Sequence, residues 1–244
     1  MEKAFRLSSE CGYDGIEIMV SKEEATRSPQ QIKKLSKVYN QPILSIHSPV
    51  LVMASFVFGI GPRNKLRKSV ELAEKVGADT VVVHPPYFFQ PVFGLEFENF
   101  VNDLEESSGI TIAVENVFNV VWKGKQLPTF IPGWNPGDMN VNSMTLDFSH
   151  SAYQKENSLD LAKSWGDKLK HIHLCDGTGN AMTDEHLVPG RGTQPVAETL
   201  EFLAGNNFSG HIVAEIHTET YSKKKRKKKM EQTLEFARKH FETK

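Results

Sequence analysis

The chain of 244 residues contains little cysteine and no long apolar run. Its two cysteines, Cys11 and Cys175, cannot form a disulfide framework, so we expect a reducing compartment. No stretch approaches the roughly 18 apolar residues of a membrane span. The opening residues MEKAFRLSSECGYDG lack the apolar core of a secretory signal. These absences exclude a disulfide-rich secreted module, and they predict a cytoplasmic protein with no membrane partner.

Charge is nearly balanced, with a formal net charge of −1, but it is unevenly distributed. Residues Lys223 to Lys229 form the unbroken basic run KKKRKKK, so the rest of the chain is acidic. A solvated helix face is the simpler interpretation of this run, and an anion-attracting patch is the alternative. The acidic remainder of the chain disfavours nucleic acid as a partner.

Short runs rich in β-branched residues alternate with amphipathic stretches along the whole chain. The predicted strands are GIEIMV (15–20), ILSIH (43–47), TVVVH (80–84), ITIAVE (110–115), MTLDF (144–148), KHIHLC (170–175) and HIVAEI (211–216). The stretches between them have helical spacing, and a last helix is predicted from about Ser222 to Phe241. Strands that alternate with helices indicate a parallel α/β sheet. No linker of low complexity divides the chain, so we expect one domain over residues 1–244.

Polar residues follow nearly every predicted strand, and this favours a barrel. In a doubly wound sheet the functional residues gather at one switch point. In a (β/α)8 barrel they lie at the carboxyl ends of all the strands. The sequence offers seven strands and opens on a predicted helix, EKAFRLSSECG. We therefore predict a (β/α)8 TIM barrel that lacks, or is truncated at, its first strand, with a seven-stranded doubly wound sheet as the alternative.

Histidines and carboxylates recur at these strand ends and in the loops that follow them. In chain order the set is His47, His84, Glu115, Asp147, His150, His173, Asp184, His186 and Glu215. A buried carboxylate without a partner is costly, so Glu115 and Glu215 inside apolar strands require a cation or a bound polar ligand. Imidazoles and carboxylates collected in one place are ligands of divalent metals. The pattern predicts a site for a divalent metal.

This ordered series resembles the xylose isomerase-like TIM barrel superfamily, from about Gly12 to the C-terminus. That superfamily includes sugar-phosphate isomerases and epimerases and the endonuclease IV relatives of AP endonuclease family 2. For the isomerases, the resemblance implies one divalent ion held by Glu115, Asp147, His173 and Glu215. For the endonuclease IV branch, it implies three zinc ions and adds further ligands, which are His47, His84, His150, Asp184 and His186. Across both branches the resemblance implies one to three ions of Zn, Mn, Mg or Co.

Two enzyme functions follow from the resemblance. The first is a metal-dependent sugar or sugar-phosphate isomerase or epimerase. In it Glu115 and Glu215 flank the substrate carbon and transfer its proton, while His47, His84 and Arg191 of the PGRG loop bind substrate. The second is an AP endonuclease or a related multinuclear-zinc phosphoesterase, and only this function takes nucleic acid as a partner. A barrel without catalytic activity, kept for binding, is a third hypothesis.

Two apolar loops favour the first function. The loop SPVLVMASFVFGIG has Val50 where endonuclease IV relatives carry an aromatic residue, and PPYFFQPVF follows the next strand. Such loops suit a lid over a small polyol, or a contact within a homo-oligomer, better than a surface that reads a DNA backbone. We therefore expect a small polyol or a sugar phosphate as substrate.

Overall fold

The computed structural model describes residues 1–49, 56–59, 61–123, 125–180, 183–218 and 220–242. Its strands are β1 (Ile16–Met19), β2 (Ile43–His47), β3 (Thr80–Val83), β4 (Thr111–Glu115), β5 (Val120–Trp122), β6 (Lys125–Leu127), β7 (Ser143–Asp147), β8 (Leu169–Leu174) and β9 (His211–Ala214). Seven of them pair in parallel in the order β1-β2-β3-β4-β7-β8-β9, and β5 and β6 form a separate antiparallel hairpin.

Eight α-helices lie among the described residues. They are α1 (Glu2–Cys11), α2 (Pro29–Tyr39), α3 (Pro62–Val76), α4 (Pro91–Ser108), α5 (Phe148–Gln154), α6 (Ser158–Trp165), α7 (Val196–Gly205) and α8 (Lys223–Phe241). A proline begins α2, α3 and α4, where its missing N–H costs no hydrogen bond. Gly77 and Gly109 end α3 and α4 in the left-handed conformation that glycine adopts without a steric penalty.

The seven parallel strands form a near-closed barrel, as predicted. Each strand of the sheet pairs with the next one along the chain, apart from the inserted β5–β6 hairpin, so the sheet winds in one direction. A doubly wound sheet would instead reverse its strand order at a switch point. The strands β1 and β9 are the two edges of the described sheet, and a cavity of about 1040 Å³ lies between them.

The alternation of side chains along the strands separates an apolar outer layer from a polar interior. On β8, Ile172 and Leu174 belong to the hydrophobic core, while His171 and His173 approach Glu17 of β1 inside the barrel. Successive side chains of a strand point to opposite faces, so one short strand supplies both layers. The outer layer holds the helices against the sheet and leaves the interior available for polar chemistry.

Of the two apolar loops that the sequence assigned to the barrel mouth, the first is described only in part. Val50, together with residues 51–55 and 60 of the first apolar loop, lies outside the described residues. In the second loop Phe88 and Phe89 are exposed, and Trp122 of the hairpin is exposed as well. None of the helices described here is long and apolar enough to cross a membrane.

Gly210 gives a test of this strand packing. A Cβ at this position would collide with the carbonyl group of Lys170 on the neighbouring strand β8. We predict that Gly210→Ala lowers the free energy of unfolding by about 2–3 kcal/mol, measured by urea denaturation. The matched control is Gly133→Ala, because a Cβ at Gly133 meets no atom within 4 Å. Equal unfolding midpoints for the two variants would contradict this packing.

Candidate metal centre

Four of the predicted ligands come together where β4, β7, β8 and β9 end. Glu115 and Asp147 are the last residues of β4 and β7, His173 lies near the end of β8, and Glu215 directly follows β9. Each of the four offers one ligand atom, and these atoms lie within 4.8 Å of one another. We call Glu115, Asp147, His173 and Glu215 the quartet. Its first three members are buried, whereas the Glu215 side chain is 26% exposed.

One nitrogen of His173 faces all three carboxylates of the quartet. Its Nδ1 atom lies 2.8 Å from Oε2 of Glu215 and 3.1 Å from Oε1 of Glu115. Oδ2 of Asp147 is farther from this atom, at 3.8 Å. Three carboxylates and one imidazole nitrogen therefore converge on a common point inside the barrel.

The Glu115 carboxylate also faces a second group of ligands. Its Oε2 atom lies 2.9 Å from Nε2 of His84 and 3.2 Å from Nε2 of His47, and these three residues form a further cluster of ligand atoms. Its Oε1 atom lies 3.2 Å from Nδ1 of His150. Glu115 thus faces His173 of the quartet with one oxygen, and the histidines at the ends of β2 and β3 with the other.

A third group lies next to the quartet in the loop after β8. Oδ2 of Asp184 lies 2.6 Å from Nε2 of His186 and 3.4 Å from Nε2 of His150. Ser149 donates a hydrogen bond of 2.6 Å to Oδ1 of the same carboxylate, and Nδ1 of His186 lies 2.8 Å from the Glu215 carbonyl oxygen. The structure therefore brings all nine predicted histidine and carboxylate residues into one continuous cluster.

Backbone hydrogen bonds fix Asp147 and explain the spacing between it and His150. Asp147 is the N-cap of α5, and its Oδ1 accepts a hydrogen bond of 2.7 Å from the His150 backbone N–H. Its own backbone N–H donates to Oδ1 of Asn116 at 2.7 Å. An N-cap side chain accepts from a backbone N–H three positions later in the chain, so this bond places Asp147 and His150 side by side at the same end of the barrel.

The charges in this cluster balance one another. Burial favours the neutral form of Glu115, but facing His173 and His84 hold the pKa of this carboxyl well below its ordinary value. Burial acts in the same direction on Glu215, yet His173 lowers its pKa to about 2. Burial lowers the pKa of His173, but Glu215 and Glu115 outweigh it, so the pKa of His173 is well above its ordinary value. The positive charge of the protonated imidazoles neutralises these carboxylates. A bound divalent cation would supply that charge in their place and would release the imidazole protons.

The residues present fit a divalent ion. Oε2 of Glu215 is buried and has no well-aligned hydrogen bond among the described residues, although buried oxygens are nearly always partnered. The donor set of carboxylate oxygens and an imidazole nitrogen suits Zn, Mn or Mg more than soft thiolate-binding ions. The cluster is therefore chemically suited to hold a cation at the quartet.

Arg191, the predicted substrate contact, lies apart from the cluster. Its guanidinium is exposed and donates a 3.4 Å hydrogen bond to Oε1 of Gln232 on α8. Asp176 fixes the loop that carries it, because its Oδ2 accepts from the backbone N–H groups of Gly190 and Gly192. Its role in substrate binding stays a prediction.

Sequence reasoning missed Glu17 on β1. Its Oε1 atom lies 3.3 Å from Nε2 of His173, and its Oε2 atom lies 3.1 Å from Nε2 of His171. The signal was available, because Glu17 stands between two isoleucines just as Glu115 follows an apolar run. A carboxylate inside an apolar strand should have been assigned to the site in both cases.

Comparisons with known proteins agree with this arrangement of strands. Residues 5–240 match a family model described as xylose isomerase-like TIM barrel. The chain is 40% identical over 259 residues to an uncharacterized protein of Mycobacterium tuberculosis (strain ATCC 25618 / H37Rv), covering 98% of this chain and 92% of that protein. It is 26% identical over 245 residues to fructoselysine 3-epimerase of Shigella flexneri, covering 89% of this chain and 86% of the enzyme.

A solved structure shows the same fold. The crystal structure of a D-tagatose 3-epimerase-like protein superposes with a TM-score of 0.69 at 22% sequence identity. The superposition covers 96% of this chain and 91% of that protein.

The charge balance around Glu115 gives a test that needs no substrate. Glu115→Gln removes the carboxylate that faces four imidazoles, and the buried imidazolium groups of His150 and His173 lose part of their counter-charge. We predict a loss of about 3–5 kcal/mol in the free energy of unfolding, measured in urea with a metal chelator present. The control is Glu198→Gln, an exposed position on α7, which should change stability by less than about 0.5 kcal/mol. A Glu115→Gln protein as stable as this control would contradict the described balance.

Proposed function

The chain belongs to the xylose isomerase-like TIM barrel family, and on this premise we propose that it is a divalent-metal-dependent sugar or sugar-phosphate epimerase or isomerase. The observation that carries the proposal is the quartet, whose three carboxylates and one imidazole nitrogen converge inside the barrel. Glu215 is its partly exposed member, with 26% of the side chain accessible, and this accessibility suits a residue that contacts substrate.

In this proposal Glu115, Asp147, His173 and Glu215 hold the ion. A bound divalent ion would supply Lewis-acid polarisation of a substrate carbonyl oxygen. Asp147 is fixed by its hydrogen bonds to Asn116 and to the His150 backbone, so it contributes a rigid ligand. A rigid ligand lowers the reorganisation that binding requires.

Glu115 and Glu215 move the proton. The lowered pKa of Glu215, about 2 because His173 outweighs its burial, keeps this carboxylate ionised near neutral pH, which is the form that a proton acceptor must have. Glu115 comes from β4 and Glu215 from the end of β9, so the two carboxylates reach a substrate carbon from different strands. Epimerisation needs one group to remove the proton and another to return it to the opposite face of the carbon.

The relatives support a sugar as the substrate. Fructoselysine 3-epimerase and the D-tagatose 3-epimerase-like protein are both described by epimerisation at the third carbon. We propose that His47 and His84 bind substrate hydroxyl groups beside the ion, and that Arg191 contacts a more distant part of the substrate. We further propose that residues 1–244 form a single domain, that the protein is cytoplasmic and that it assembles as a homo-oligomer.

The test is exchange of substrate hydrogen with solvent. Ketohexoses, their phosphates and fructoselysine are incubated with the Mn²⁺-loaded protein in D₂O, and NMR follows deuterium at the carbon next to the carbonyl. We predict exchange with at least one of these sugars and at least a 100-fold slower rate for Glu215→Gln. The Glu198→Gln control should exchange at the wild-type rate. Full exchange by Glu215→Gln would remove Glu215 from proton transfer.

One observation favours a second candidate, a multinuclear-zinc phosphoesterase of the endonuclease IV type. Two further groups of ligand atoms flank the quartet, namely His47 with His84 and Glu115, and His150 with Asp184 and His186. Glu115 presents Oε1 to His173 and Oε2 to His47 and His84, so under this candidate its carboxylate would help to hold an ion in each of the two groups. Under this candidate the added ions would clamp phosphate oxygens.

Metal content in the wild type and in His84→Asn separates the two candidates. The epimerase proposal predicts one tightly bound ion per chain, retained in His84→Asn. It also predicts no nicking of duplex DNA that carries an abasic site. Three zinc ions per chain, a lower count in His84→Asn and nicking that depends on zinc would together establish the second candidate. Elemental analysis and a gel assay provide the two readouts.

A further inference from the structure

Glu17 lies inside the barrel, and the proposed mechanism gives it no task. Its side chain is 8% exposed. Ser45 donates a hydrogen bond of 2.6 Å to its Oε2, which also lies 3.1 Å from Nε2 of His171. Its other oxygen, Oε1, lies 3.3 Å from Nε2 of His173. The carboxylate therefore joins β1, β2 and β8 behind the quartet.

His173 stands between Glu17 and the rest of the quartet. Its Nδ1 atom faces Glu215 and Glu115, and its Nε2 atom faces Glu17. A neutral imidazole carries its proton on one nitrogen, and only the other nitrogen has a lone pair for a cation. Nε2 is buried and has no well-aligned hydrogen bond to any described residue, so the facing Glu17 carboxylate is the acceptor within reach.

We propose that Glu17 is a positioning residue for the metal centre. It keeps the proton of His173 on Nε2, so that Nδ1 presents its lone pair to the cation. A carboxylate behind a ligating histidine sets the tautomer, the ring orientation and the basicity of that histidine. The inference rests on the proposed function, because it requires a cation at the quartet.

The sheet holds Glu17 in place for this task. Glu17 and Ser45 are directly paired residues of β1 and β2, so the register of these strands sets the distance between them. Ser45 and His171 both approach Oε2, which leaves Oε1 to face His173. The carboxylate is thus oriented by Ser45 of β2 and His171 of β8 before any ion binds.

The test is the affinity of the quartet for Mn²⁺ in wild type and in Glu17→Gln, measured by calorimetry with a competing chelator. Glutamine keeps the shape but removes the charge, and its amide can donate to Nε2 and favour the wrong tautomer. We expect binding about 10- to 100-fold weaker, with the number of ions per chain unchanged. Circular dichroism of the metal-free variant reports whether it folds.

Two further variants make the result specific. Ser45→Ala removes the hydrogen bond that orients Glu17 and should weaken Mn²⁺ binding by about 2- to 10-fold; it also keeps the test open if Glu17→Gln fails to fold. Asp79→Asn removes the carboxylate 2.7 Å from Nε2 of His211, a carboxylate–histidine pair outside the quartet. This control should bind Mn²⁺ as wild type does.

The outcomes separate this inference from the proposed function. If wild type binds no divalent ion, the proposed function and the role of Glu17 both fail. If wild type binds Mn²⁺, and Glu17→Gln and Ser45→Ala bind it within twofold of wild type, only the role of Glu17 fails. A lower number of ions in Glu17→Gln would make Glu17 a ligand and would also overturn the positioning role.

Discussion

The buried carboxylate of Glu115 is the group on which the rest of the site depends. It lies 2.9 to 3.2 Å from nitrogens of four imidazoles, those of His47, His84, His150 and His173. A charged carboxylate in a protein interior is stable only when opposite charge and hydrogen-bond donors surround it. These histidines come from β2, the end of β3, α5 and β8, so only a fold that gathers several strand ends around one point can supply them.

The barrel meets this requirement by dividing each strand between two layers. Outward side chains such as Ile172 and Leu174 pack in the apolar core, and inward ones such as His171 and His173 line the interior. Burial of the outer layer stabilises the scaffold and offsets the cost of a polar interior. The same division explains how a chain with 39% hydrophobic residues holds so many buried ionisable groups. The outer face of the sheet supplies the apolar contacts that stabilise the barrel, and the inner face carries the ionisable side chains of the site.

Much of this arrangement could be predicted from sequence, for one geometric reason. Parallel strands end at the same edge, so a residue type that recurs at strand ends converges in space, and the nine histidine and carboxylate residues do so. Arg191 could not be placed in this way, because it follows no strand end directly and its loop is set by hydrogen bonds from the Gly190 and Gly192 backbone N–H groups to Asp176, 14 and 16 residues earlier in the chain. Glu17 carries the same sequence signal as Glu115, a carboxylate within an apolar strand, but its contact with His173 could not be predicted, because no sequence spacing links β1 and β8.

We propose above all that the quartet is a cation site. The most direct measurement is the anomalous scattering of crystals of the full chain soaked with Mn²⁺. We predict a peak ligated by Glu115, Asp147, Glu215 and Nδ1 of His173, with Nε2 of His173 turned toward Glu17. Loaded crystals without a peak at the quartet, or with an ion bound to Nε2 of His173 instead, would contradict it.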